Sequence, residues 1–348
     1  MAFKINGVTV LDDNREVTVN GIAATANDRV FVGVTATNSP TSVLSPSIFQ
    51  GSVSGYTAGG GPLTNVIQKF PFSTDTNATD VGDLTFSVFG GSSQSSTTHG
   101  YTSGGYNAAP NDTKAIQKFS FAVDSNATNV GNLQTIKRYG NGQSSESHGY
   151  MSGGYAPGFG GTINTIDKFP FAVDSNSSDV GNLSSVRTAF SGPGQSSTTH
   201  GYVSGGYVPG PNTVNTIDKF PFSTDTNATD IGDLSQARRF AVGQSSTTHG
   251  YTSGGVEPTP ETRYNTIDKF PFSSDSNATD VGDLSIVKAA PSGQSSTTSG
   301  YASGGTTSPG RSDVIDKFPF ASDTNASDIG DLLAIIEQPG GQQARTIQ

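Results

Sequence analysis

The chain has no cysteine, no tryptophan and only two methionines, and just 14% of its 348 residues are charged. Without cysteine there is no disulfide framework and no thiolate metal site, so the redox compartment is left open. No apolar run approaches the ~18 residues that span a membrane. The opening MAFKINGVTVLDDNREVTVNG lacks the basic start and apolar stretch of a signal peptide. We therefore expect no membrane insertion. Positive charge is also scarce: 19 Lys and Arg stand against 29 Asp and Glu, a net charge of −10. That balance argues against a nucleic-acid partner, which needs a basic face. The gap is filled by 44 glycines together with serine, threonine and asparagine. Such a mixture suits short strands and tight turns better than long helices.

An internal repeat organises most of the chain. Lys69, Lys118, Lys168, Lys219, Lys269 and Lys317 each open a KFPF-like stretch, marking six units of about fifty residues. Each unit reads as four short strands. Around residue 240 these are RFAVGQ (239–244), HGYTSGG (249–255), NTIDKFPF (265–272) and DVGDL (280–284). A unit this small cannot bury two sheet faces alone, so the units must stack. Six four-stranded units fall within the range of β-propellers. The expected fold class is therefore all-β, a six-bladed propeller over residues 45–337.

The stretch GYVSGG…TIDKFPFSTDTNATDIGDLSQAR (201–238) resembles the kelch repeat. Like that repeat, it has a strand ending in a double glycine, an aromatic third strand, a Thr/Asn turn, a fourth strand and then a basic residue. The kelch tryptophan after the turn is missing, with Val81, Ile231 and Val281 nearby. Residues 1–44 lie outside the repeat and read as one or two hairpins around the Asn-Gly and Asp-Asp-Asn turns. This opening is similar to those of tailed-phage structural and tail-fibre proteins. The resemblance implies a virion location, with attachment to other virion proteins through residues 1–44, and leaves homo-oligomerisation open. The C-terminal LLAIIEQPGGQQARTIQ is expected to add a closing strand before a polar tail, placed at 338–348.

The repeated letters read as scaffold. The double glycines permit the left-handed backbone where blades crowd. His99, His148, His200 and His249 are expected to cap their own turns, since the fifth equivalent is Ser299 and residues on separate blades cannot share a metal. In DTNATDVGDL, Asp75, Asn77, Asp80 and Asp83 read first as a turn. Asp225, Asn227, Asp230 and Asp233 repeat the same letters. A second reading makes these two sets calcium loops, one residue longer than those of integrin-type propellers, with calcium as the one cofactor considered. A third likens them to the sialidase Asp-box, itself a structural turn. Two phenylalanines per third strand, twelve of twenty in all, are assigned to packing between blades. The adjacent Asp and Lys of IDKF suggest a belt in which each lysine meets the aspartate of the next blade.

In a four-stranded meander the one–two and three–four loops share one face, which here is monotonous. The two–three and four–one loops share the other, and they differ from unit to unit. Tyr106, Tyr155, Phe159, Tyr207, Arg263, Tyr264 and Arg311 lie on that variable face. Tyrosine and arginine are favoured at recognition surfaces, so we take these seven as candidate ligand contacts for a host-surface glycan or a protein. Every histidine sits in a copied context and no acid pair stands apart. The chain therefore reads as a non-enzymatic binding or structural protein, with a carbohydrate- or protein-binding propeller of a bacterial surface as the alternative and a calcium-dependent propeller enzyme as the third reading.

Overall fold

The computed structural model describes residues 2–5, 8–12, 50–107, 112–188, 194–210 and 212–344. The chain divides into two units, Met1–Leu44 and Ser45–Gln348. In the first, Ala2–Ile5 pairs antiparallel with Val8–Asp12 across the first Asn-Gly pair of the sequence. The remainder of the expected N-terminal segment lies outside the described residues.

The second unit is a six-bladed β-propeller with four-stranded antiparallel blades, each in simple meander order. In the fifth blade the strands run Val242–Ser245, His249–Ser253, Thr266–Pro271 and Thr279–Asp283 from the axis outward. The first begins three residues later than expected because Phe240 takes a left-handed backbone, φ 58°. The second stops before Gly254 and Gly255, whose φ values of 65° and 110° leave the strand region. Innermost strands contact their neighbours all the way round, from Ser92–Ser95 to Ser292–Ser295 and on to Gly340–Ala344, which returns to the first. They enclose an axial cavity of only about 30 Å³, lined by Gly, Ser and Gln.

The closing strand lies within the segment expected to be a polar tail. Gly340–Ala344 pairs with Ser54–Ala58 and completes the first blade, whose other strands come from the start of the repeat region. Its polarity misleads because every inner strand is polar: Gln342, like Gln94 or Gln244, is fully buried. Each of these glutamines donates through Nε2 to a tyrosine carbonyl in the next blade. Gln244 reaches Tyr301 O at 2.9 Å, and Gln342 of the first blade reaches Tyr101 O of the second at 2.9 Å.

Between blades the core is aromatic. Tyr251 of the second strand stacks on Phe320 of the next blade, with centroids 4.9 Å apart, and tilts against Phe318 at 5.5 Å. The same trio recurs at every junction, including Tyr301 with Phe72 and Phe70 where the ring closes. This bears out the expected role of the paired phenylalanines. It also accounts for the glycine before each tyrosine: a β-carbon at Gly250 would run into the ring edge of Phe270.

The expected belt forms, but with a different aspartate. Lys269 Nζ reaches Asp323 in the next blade's three–four turn at 2.7 Å, and Lys317 closes the circle to Asp75 at 2.8 Å. The aspartate beside each lysine in the sequence points the other way, into the blade junction, because neighbouring strand residues face opposite sides. There Asp268 meets Arg238 at 2.9 Å and Asp316 meets Lys288 at 2.8 Å, with all four side chains fully buried. Asp167 pairs likewise with Lys137, and Asp218 with Arg187. At the two remaining junctions the aspartate is replaced by Gln68 or Gln117. At those same two junctions the basic position holds Ile336 or Val88. Charge is present on both sides or on neither, as expected where an unpaired buried charge is costly.

Candidate functional site

Isolated bridges tie each four–one connection to a two–three loop on one face, among them Arg138 to Tyr155, Arg239 to Val256 and Gly61 to Glu337. The variable loops therefore do share a face. The opposite face is made of near-identical turns. In four of them a serine hydroxyl accepts the histidine backbone N–H, as Ser246 does from His249 at 2.9 Å. The neighbouring threonine hydroxyl meets the His249 ring at Nδ1, 2.8 Å away. The serine thus caps the turn and the histidine ring is held by it, the reverse of the expected roles. Partial burial, and then the nearby Lys269, hold His249 below the ordinary histidine pKa.

The Asp/Asn turns on that same face are occupied by links within and between blades. Asp75 and Asp225 accept the belt lysines Lys317 and Lys168, each at 2.8 Å. Asn77 Oδ1 accepts the N–H of Asp331 and Asn227 Oδ1 that of Asn182, each at 3.0 Å. Asp80 and Asp230 accept the N–H of Gly82 and Gly232 within their own turns, at 3.0 and 3.1 Å. The backbone N–H groups of Asp83 and Asp233 donate to Asn126 and Asn277 of the following blade, each at 3.0 Å. Among the described residues no group of three His, Cys, Asp or Glu side chains gathers as a metal ion would require.

On the variable face, Arg138 is held from several sides. It pairs with the buried Asp112 at 2.7 Å. Its guanidinium lies 5.6 Å from the Tyr106 ring, 5.1 Å from Tyr155 and 5.0 Å from Tyr139. Two candidate tyrosines, Tyr106 and Tyr155, therefore belong to one cation–π cluster. Tyr207 carries Arg239 over its ring at 5.3 Å. Arg263 is held by the Thr306 hydroxyl at 2.6 Å and by Glu261 at 3.0 Å. Arg311 grips Glu337 with Nε and Nη2, at 3.0 and 2.8 Å. Tyr264 sits half-buried, its N–H bonded to Gly255 O at 2.9 Å. The Phe159 side chain lies outside the described residues, although its backbone closes the short 3₁₀ turn Pro157–Phe159.

A pocket of about 470 Å³ opens on this face, walled by connections from five of the six junctions. Of the seven candidates only Arg263 is among its walls. Its remaining walls include Phe89, Tyr139, Arg239, Phe240, Glu337 and Gln338. Sequence reasoning passed these over because they sit in the four–one connections. A signal was available: with the units aligned, Arg138-Tyr139 and Arg239-Phe240 occupy the same position. No protein-family model matches this chain, and no curated protein matches it.

Proposed function

We propose that this protein is a non-enzymatic, kelch-like structural protein of a tailed-phage virion, a tail fibre or adhesin component or a decoration. In this reading residues 1–44 dock it to other virion proteins, and the propeller presents its variable face to a host surface or a partner protein. The observation that supports the binding half is the contrast between faces. One is spent on repeated turns, the lysine belt and inter-blade links. The other carries different loops from blade to blade and a pocket rich in aromatic rings and arginine. The virion half rests on the similarity of residues 1–44 to phage tail proteins. A carbohydrate- or protein-binding propeller on a bacterial surface would use the same face and differ in what residues 1–44 attach to.

Labelled protein with and without residues 1–44, incubated with host cells and with particles lacking it, tests this reading. Full-length protein is expected to label particles, and deletion of residues 1–44 to abolish that labelling while leaving propeller binding to cells intact. Binding to neither would overturn the proposal.

A further inference from the structure

We infer that the pocket at the axis end of the variable face is a sugar site that seats an uncharged terminal residue of a glycan. This inference rests on the reading of the propeller as a binding module and gives that module a ligand class.

Strain in the backbone is the first observation. Among the described residues four that are not glycine take the left-handed conformation: Tyr139 at φ 60°, Phe240 at 58°, Ala290 at 56° and Gln338 at 50°. They occupy the same position in four of the connections between blades, the place held without strain by Gly90 at φ 66°. All four line this one pocket. Strained backbone of this kind persists where the surroundings enforce it, commonly at ligand sites. Here it brings the Tyr139 and Phe240 side chains to the pocket wall. Phe89 braces Tyr139 edge-on at 6.1 Å, which fixes an aromatic corner.

The polar groups point to the class of ligand. The Gln338 side chain is 5% exposed, and its Oε1 is buried with no hydrogen-bond partner. A buried polar atom left this way is costly, and a ligand can satisfy it. A hydroxyl both donates and accepts, so it suits this carboxamide whichever way the amide is turned. The charged lining is balanced, two arginines against two glutamates. Arg263 is already held by Glu261, and Glu337 by Arg311. An acidic sugar would have to approach the carboxylates of Glu261 and Glu337 in this lining. A neutral one can lay its C–H face on Phe240 or Tyr139 and offer hydroxyls to Gln338 and the two carboxylates. The volume, about 470 Å³, lies in the range of small-ligand sites.

The test titrates the full chain with glucose, galactose, mannose and N-acetylglucosamine, and with glucuronic and N-acetylneuraminic acids, read by saturation-transfer NMR and calorimetry. At least one neutral sugar is expected to bind in preference to both acids. Phe240→Gly is expected to weaken that binding by at least about tenfold, or 1.4 kcal/mol. It should leave the melting temperature unchanged or raised, because glycine relieves the strain at this position. Binding of no sugar, preference for an acidic sugar, or neutral-sugar binding that survives Phe240→Gly would overturn the inference. If host cells still capture the protein and excess sugar does not compete, the ligand is a protein, and only the sugar assignment falls. If cells capture nothing, the binding reading itself fails.

Discussion

A chain ending at Gln338 is expected to lose its cooperative unfolding transition and to accumulate as aggregate. Gly340–Ala344 is the innermost strand of the first blade, so its removal leaves Ser54–Ala58 as an open edge at the axis. The same cut deletes the Gln342 bond to Tyr101 O, which links the first and second blades. It also removes the contacts by which this strand touches the inner strands on either side. A domain with a total stability of about 5–15 kcal/mol cannot absorb the loss of a central strand and two blade contacts. Chain length is not the cause, and a second variant separates the two. Placing Pro-Gly-Gly-Gln-Gln directly ahead of Gly51 in the truncated chain reproduces the spacing of the other units, where the inner-strand glutamine precedes the tyrosine by seven residues. That variant should recover a single sharp transition by calorimetry. A truncated chain that melts like the full one would show that the ring does not depend on this strand.

Asp268→Ala is expected to destabilise the propeller by about 3–5 kcal/mol, because it strands the fully buried Arg238 guanidinium without its partner. Arg238 keeps its bond to Thr252 O at 2.9 Å but loses the carboxylate it is paired with, and the Ser235 hydroxyl and N–H lose the acceptor they share. The chain contains its own remedy. Where Gln68 stands in place of the aspartate, the basic position holds Ile336, and Gln68 Oε1 accepts the N–H of Leu333 at 2.7 Å. The double variant Asp268→Gln with Arg238→Ile copies that junction and should recover more than half of the loss. Denaturant melts of the singles and the double form a cycle, and the expected coupling is at least ~1 kcal/mol. Strictly additive losses would mean that the pair does not act as a unit.

The architecture was legible in the sequence because its causes are local and repeated. Six lysines set the register, and glycine, asparagine and aspartate mark turns whose chemistry follows from residue type. The twin phenylalanines alternate as an inward-facing strand must. Which aspartate a lysine meets was not legible, since Asp268 and Lys269 are adjacent in the chain but lie on opposite sides of the strand. The buried partner, Arg238, is thirty residues away in a connection that looks like surface. Even so, the substitution of aspartate and basic residue together, by glutamine and isoleucine or valine, was present in the letters. The closing strand was masked by its composition, because GGQQA reads as a tail until every inner strand proves to be equally polar. The pocket was hidden for a different reason. Its walls depend on left-handed backbone at Tyr139, Phe240 and Gln338, residue types that do not announce it.

One face of the ring is proposed to support and the other to recognise. Host-cell capture of two variants compares the faces directly. In one, Glu257–Thr262 is replaced by glycine and serine on the variable face; in the other, Lys219→Ala and Asp275→Ala remove one belt link on the opposite face. The first variant is expected to fold but lose capture, while the second captures cells as the native protein does. Capture lost with the belt link and kept without the loop would place recognition on the wrong face and contradict the proposal.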